Sequence, residues 1–93
     1  MYAIVTKSQA EEIANFIAIS VDGQIASNSN YSATSTRITS IFHEFENDTK
    51  RGLLEVYSNY TRENVVDELP EQYQDLDFFE LDKNELDVYL HNN

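Results

Sequence analysis

The sequence predicts a small, mostly α-helical single domain of three to five helices that spans residues 1–93. Three observations favour this fold class. A Ser-x-x-Glu capping box precedes an apolar stripe near the N-terminus, two stripes at helical spacing follow in the middle of the chain, and an Asp-capped segment closes it. The alternative is an α+β fold with a β-hairpin in residues 41–59.

Length and composition allow one folded domain with one core. A chain of 93 residues buries roughly 60 to 65 % of the surface that its unfolded form exposes. Six Tyr, five Phe and a hydrophobic share of 41 % favour folding despite a formal net charge of −11. Because the chain has no cysteine, disulfides, thiolate metal sites and thiol catalysis are excluded.

The first helix is predicted from its start signal and its stripe. Ser8-Gln9-Ala10-Glu11 is a capping box. The apolar residues that follow it at helical spacing are Ile13, Phe16, Ile17 and Val21. We expect a helix from Gln9 to about Asp22, capped by Gly23. The apolar residues 2–5 before it suit a strand or a helical turn, and the polar residues 27–35 after it suit a loop.

Two apolar stripes in the middle of the chain share one helical phase. They comprise Ile38, Ile41, Phe42 and Phe45, then Leu53, Val56, Tyr57 and Tyr60. One long helix is predicted, or two with a break near residues 48–52, since Gly52 costs a helix about 1 kcal/mol relative to Ala. The rival is a hairpin of strands 41–46 and 53–59. We favour the helix because a strand places Ile41 and Phe42 on opposite faces, which suits burial only if both faces are covered.

The last third of the chain gives mixed signals. Residues 61–63 are predicted to cap a helical turn that Pro70 stops. Residues 71–81 match the helix and strand templates equally, so their structure stays open. Asp82 as cap with Glu85 three positions later predicts a final short helix. Its predicted buried residues are Leu86, Tyr89 and Leu90.

The acidic stretch from Asp67 to Asp87 dominates the charge of the chain. It holds nine carboxylates and one base, Lys83, interleaved with apolar residues. Residues 1–46 carry five acids and two bases, whereas residues 47–93 carry twelve acids and four bases. This interleaving indicates an ordered acidic surface, which repels nucleic acid and anionic lipid and attracts basic partners.

Candidate chemistry is weak in this sequence. His43 beside Glu44 suggests an acid–base pair, but no Ser or Cys stands in a nucleophile motif. A calcium loop starting at Asp75 fails because its fifth and sixth positions are Phe79 and Glu80. Paired carboxylates alone are a poor basis for glycosidase chemistry in so small a domain. We therefore predict no enzymatic activity, no catalytic residue, no metal site and no cofactor.

The acidic stretch instead suggests a binding role. Carboxylates three or four residues apart on a helix recur roughly every 4.5 to 6 Å, and phosphates of a DNA strand about every 3.4 Å. In size and charge the chain resembles phage-encoded DNA mimics such as anti-restriction and anti-CRISPR inhibitors. This resemblance implies a non-enzymatic inhibitor or regulator of a basic nucleic-acid-binding protein, such as a nuclease, without direct contact to nucleic acid or membrane. The predicted partner-binding residues are Asp67, Glu68, Glu71, Asp75, Asp77, Phe78, Glu80, Asp82, Glu85 and Asp87.

An alternative function is a small assembly module that forms a homodimer or other homo-oligomer through exposed aromatic residues. The N-terminus lacks a basic region followed by a long apolar run, and no window approaches 18 apolar residues. We therefore expect a cytoplasmic protein, in the host cytoplasm if it is phage-encoded.

Overall fold

The chain folds around one antiparallel sheet. A computed structural model of the protein describes residues 1–20, 23–25, 29–59 and 65–93. The strands are β1 Tyr2–Thr6, β2 Gln24–Ile25, β3 Ala33–Thr34, β4 Ile38–Glu44 and β5 Arg51–Ser58, and the helices are α1 Lys7–Ser20, α2 Lys83–Asn92 and the short 3₁₀ helices Val65–Glu68 and Glu71–Tyr73. The strand order in the sheet is β1-β5-β4-β3-β2. The architecture is therefore α+β.

The predicted mostly α-helical fold of three to five helices is wrong. The middle of the chain forms a β-hairpin instead of a helix, with Ile38 opposite Ser58 and Glu44 opposite Gly52. The α+β alternative named this hairpin, with strand bounds that differ by one to three residues from those of β4 and β5.

The helix prediction failed because both faces of the sheet are covered. Leu53 and Leu54 are adjacent in β5 and point to opposite faces, yet both are 0 % exposed. Leu54 packs in a cluster with α1, whereas Leu53 packs with Phe45 and the C-terminal residues. Burial on two faces removes the period-two alternation that identifies a half-buried strand, so the remaining pattern fits a helix by coincidence.

The start of α1 differs from its predicted capping box. Thr6, the last residue of β1, accepts a hydrogen bond from the Gln9 N–H at 3.1 Å, and the Gln9 side chain accepts one from the Thr6 N–H at 2.9 Å. This Thr-x-x-Gln box replaces the predicted one at Ser8. The helix consequently begins at Lys7, two residues earlier than predicted.

Gly23, the predicted C-terminal cap, follows α1, whose described part ends at Ser20; the predicted helical residues Val21 and Asp22 lie outside the described residues. The Gly23 N–H donates to the carbonyl of Ile17 at 3.0 Å, a bond typical of helix C-termini. A Cβ at this position would lie 2.7 Å from the carbonyl oxygen of Thr34, so only glycine permits this approach. The predicted loop 27–35 contains β3, and its residues 27 and 28 lie outside the described part of the chain.

The C-terminal strap, which we define as residues 65–93, wraps around the β1 edge of the sheet. Val65, Leu69 and Tyr73 are buried in the cluster under α1. Phe79 then pairs with Tyr2 of β1 through two backbone hydrogen bonds of 2.8 Å. The strap crosses from one face of the sheet to the other at this bridge. Leu76 and Phe78, which precede the bridge, pack with the α1 cluster. The members that pack on the opposite cluster are Phe79, Leu81, Leu86, Tyr89 and Leu90.

The strap resolves the mixed predictions for the last third of the chain. The predicted turn before Pro70 is the 3₁₀ helix Val65–Glu68, and its predicted cap at residues 61–63 lies outside the described residues. Residues 71–81 are a short 3₁₀ helix followed by irregular chain, neither a long helix nor a strand.

The predicted capping box of α2 is confirmed. Asp82 accepts a hydrogen bond from the Glu85 N–H at 2.8 Å, and Glu85 accepts one from the Asp82 N–H at 3.0 Å. At the other end, the Glu46 N–H of the β4–β5 loop donates to the Leu90 carbonyl at 3.1 Å. The hairpin loop thus fixes the C-terminus of α2 by satisfying a free carbonyl.

Candidate partner-binding surface

The predicted binding residues all lie in the strap and form one band around the β1 edge rather than one flat face. On the α1 side are Asp67, Glu68 and Glu71, at the edge are Asp75, Asp77, Phe78 and Glu80, and on the opposite side are Asp82, Glu85 and Asp87. The edge placement follows from the bridge between Phe79 and Tyr2. The predicted residues are therefore continuous in space, but no single partner face contacts them all at once.

Two of these carboxylates are engaged in ion pairs with distant parts of the chain. Glu68 binds the guanidinium of Arg37 at 2.6 Å, which ties the strap to the start of β4. Glu80 lies 3.6 Å from the N-terminal ammonium group of Met1. Both contacts hold the strap against the sheet, so these acids are less available to a partner.

Three further predicted residues serve the fold. Asp82 and Glu85 each accept a backbone N–H in the capping box of α2. The ring of Phe78 is half-buried against the α1 cluster. Phe78 therefore helps to anchor the strap to the sheet, whereas the two capping residues retain exposed carboxylates.

The remaining predicted carboxylates have no partner among the residues that the structure describes. They are Asp67, Glu71, Asp75, Asp77 and Asp87, and all of them are exposed. They are distributed along the whole strap, from its first 3₁₀ helix to α2. This band of unpaired acids is the surface that a basic partner would meet first.

The cations of the sheet half do not neutralise the strap. Lys7 pairs with Glu44 at 3.1 Å and Arg51 with Asp48 at 2.7 Å, both within residues 1–59. The strap itself has only Lys83 against nine acids. Arg37 pairs with one strap acid, Glu68, and the N-terminal ammonium group of Met1 lies near another, Glu80, so most of the negative charge of the strap remains unmatched.

A shallow hollow interrupts the strap at this edge. Its floor is apolar, formed by Ile4 of β1 with Leu76 and Phe79, and its rim carries Asp75 and Asp77. Ile4 is 42 % exposed, so its side chain is open to solvent at the hollow. Sequence reasoning missed Ile4, because its exposure follows from the path of the strap and not from the pattern of β1.

The hydroxyl of Tyr73 fastens the strap to α1. It donates a hydrogen bond to the carboxylate of Glu12. Burial, followed by the hydrogen bond to Glu12 and its charge, raises the pKa of Tyr73 to about 12. The phenol therefore stays neutral and keeps its bond across the ordinary pH range.

His43 has a carboxylate neighbour, but a different one from the residue that the sequence suggested. Its Nε2 lies 2.9 Å from Glu55 Oε1 across the β4–β5 pair, whereas Glu44 pairs with Lys7. The Tyr2 hydroxyl bonds to the same Glu55, and its pKa is raised by burial first and by Glu55 second. Within the described chain, no Ser or Thr hydroxyl contacts His43, so this network lacks a nucleophile.

Other site classes find no support in the described ranges. No group of three or more His, Asp or Glu side chains there is placed to hold a metal ion. No helix of that part is long and apolar enough to cross a membrane. Of its aromatic side chains, only Tyr57 is largely exposed, at 41 %.

Comparison of the chain with protein-family models, with curated proteins and with solved structures finds no match. Functional inference therefore starts from the geometry and charge of the strap.

Proposed function

We propose that the protein is a non-enzymatic inhibitor or regulator that binds a basic, nucleic-acid-handling protein through the strap. The observation that supports this proposal is the band of exposed carboxylates around the β1 edge that have no partner among the described residues. A partner with a Lys- and Arg-lined groove gains charge–charge attraction along the whole band. The nucleic acid that normally occupies the groove is then displaced.

The distribution of charge favours this role over a general effect on solubility. A solubilising charge would be spread over the surface with both signs interspersed. Here Lys7 and Arg51 of the sheet half pair with acids of that half, Arg37 pairs with one strap acid, and the strap holds nine acids against one lysine of its own. Encounter with a basic groove is thereby steered to one side of the molecule.

Rigid presentation of the acids is the second requirement. The strap is held by the ion pair of Glu68 with Arg37, by the bridge of Phe79 to Tyr2 and by the packing of α2. A fixed band loses less conformational freedom on binding than a flexible acidic tail. Like the partners it would bind, the protein would act in the cytoplasm.

An affinity capture tests the proposal. The tagged protein is immobilised, a cell lysate is passed over it, and retained proteins are eluted in salt steps and identified by mass spectrometry. We expect retention of a basic nucleic-acid-binding protein that leaves at moderate salt and is displaced by added duplex DNA. Retention of proteins that DNA does not displace, or of none, would overturn the proposed function.

A further inference from the structure

The backbone of β1 leaves one residue open at the edge of the sheet. Along an antiparallel strand, the N–H and C=O groups of successive residues point alternately to the two sides. Met1 and Lys7 bond to the β5 side, whereas Tyr2 bonds outward to Phe79 and the Thr6 N–H bonds outward to Gln9. Ile4 therefore directs its N–H and C=O outward.

These two groups of Ile4 have no partner among the residues that the structure describes. The reason is the path of the strap. Phe79 pairs with Tyr2, but residues 75–77 turn away from β1, where the Phe78 N–H bonds back to the Leu76 carbonyl at 3.0 Å. The strap therefore pairs with Tyr2 but not with Ile4, and the hollow lies beside Ile4.

The walls of the hollow define what would fill it. The side chains of Ile4, Leu76 and Phe79 offer apolar contact, and the carboxylates of Asp75 and Asp77 stand beside them without a described cation. A Lys or Arg side chain matches both parts, because its aliphatic stem packs on apolar surface while its charged head reaches a carboxylate. An aromatic ring such as that of Phe79 adds attraction for the cation.

We propose that the hollow receives an extended, basic segment of the partner protein, which pairs its backbone with Ile4 and places a Lys or Arg at Asp75 and Asp77. This inference rests on the proposed function and specifies the kind of segment that binds. An extended segment is favoured over a helix because only an extended backbone has free N–H and C=O groups to pair with a strand edge.

A second copy of this chain is a poor occupant of the same edge. Pairing of two β1 edges around Ile4 would bring Asp75 and Asp77 of both copies together. Four carboxylates without a counterion at one interface repel each other strongly. Charge complementarity therefore selects a basic partner segment over self-association.

The test uses the full-length protein, labelled with ¹⁵N, and a synthetic peptide of alternating Arg and Val as the probe. We expect the amide signal of Ile4 to shift on addition of the peptide and its hydrogen exchange to slow, because a free edge N–H becomes hydrogen-bonded. A peptide of alternating Glu and Val is the matched control and should leave the signal unchanged.

Two variants distinguish binding in the hollow from attraction by the overall negative charge of the strap. Asp75→Asn/Asp77→Asn and Asp67→Asn/Asp87→Asn each remove two exposed acids of the strap that have no described partner, but only the first pair lines the hollow. We expect the first variant to weaken peptide binding about tenfold and the second less than about threefold. Unchanged amide spectra apart from the altered sites would show that both variants fold.

Each contrary outcome has a distinct meaning. Equal weakening in both variants, with the Ile4 amide unchanged, would contradict binding of the segment in the hollow. It would leave the proposed function intact, since charge alone would then direct binding. Protection of the Ile4 amide that rises with protein concentration, without peptide, would assign the edge to a second copy. Absence of peptide binding would overturn this inference, while the affinity capture separately decides the proposed function.

Discussion

The sheet half of the molecule, residues 1–59, and the strap, residues 65–93, are built in opposite ways. In the sheet half, β4 and β5 pair over seven residue pairs, and Lys7 and Arg51 pair with acids of the same half. The described part of the strap is joined to that half by the bridge of Phe79 to Tyr2 and by the backbone hydrogen bond of Glu46 to Leu90, and most of its acids have no described partner. The comparison indicates that strand pairing fixes the sheet half, whereas side-chain packing fixes the strap and leaves most of its acids exposed.

The largest expected effect comes from a matched pair of leucines. Leu54 is fully buried in the sheet half, whereas Leu86 of α2 is only half-buried. We expect Leu54→Ala to lower the free energy of unfolding by about 2 to 5 kcal/mol, and Leu86→Ala by about 1 kcal/mol. Urea denaturation followed by circular dichroism measures both. Equal losses would show that the strap contributes as much stability as the sheet.

The next effect tests the close packing inside the hairpin. A Cβ at Gly52 would lie 2.1 Å from the His43 carbonyl oxygen and 2.8 Å from the ring of Phe42. Since backbone must shift to admit it, we expect Gly52→Ala to cost about 1 to 3 kcal/mol. Thermal unfolding would detect this as a lower Tm. A neutral result would mean that β4 and β5 approach less closely at this point.

A smaller effect concerns the pH dependence of the strap's attachment. The pKa of Tyr73 is raised to about 12 in the fold, against about 10 in the unfolded chain. The contribution of this pKa difference to the free energy of unfolding is fully present below about pH 10. It is lost as the pH rises from about 10 to about 12.

Tyr73→Phe should flatten the fall in stability over that pH interval, since the substituted ring cannot ionise. The slope would not vanish, because the pKa of Tyr2 is raised as well. Urea midpoints measured at successive alkaline pH values compare the two proteins. An identical slope of stability against pH in both proteins would show that the ionisation of a group other than Tyr73 causes the fall.

The smallest effect on stability is expected for the free acids of the strap. Asp75→Asn and Asp87→Asn remove exposed charges without described partners, so the free energy of unfolding should change by less than about 0.5 kcal/mol. Glu68→Gln provides the contrast, because it breaks the pair with Arg37 and should destabilise by up to about 1 kcal/mol. Similar losses for all of them would mean that the free acids also support the fold.

Local signals predicted one of the two helix starts correctly and placed the other start two residues too late, whereas features that depend on distant residues were missed. The box of Asp82 and Glu85 acts within one helical turn and was predicted correctly. The hairpin was placed second to a helix because the coverage of the second sheet face by α2, some thirty residues away, is not visible in local periodicity.

The candidate surface shows the same limit. The sequence shows which acids this surface contains, but it does not show which of them form ion pairs. Glu68 is paired with a residue 31 positions away, and Glu80 with the N-terminus of the chain. Likewise, the open edge at Ile4 is created by the turn of residues 75–77 and has no signature of its own.

The measurement that tests the central claim most directly is the affinity capture repeated with two variants of equal charge. Asp75→Asn/Asp77→Asn alters the strap, and Glu11→Gln/Glu44→Gln alters two exposed acids of the sheet half that do not contact the strap. If the strap is the binding surface, the first variant loses the DNA-displaceable partner and the second retains it. Equal retention or equal loss in the two variants would show that net charge, and not the strap, governs binding.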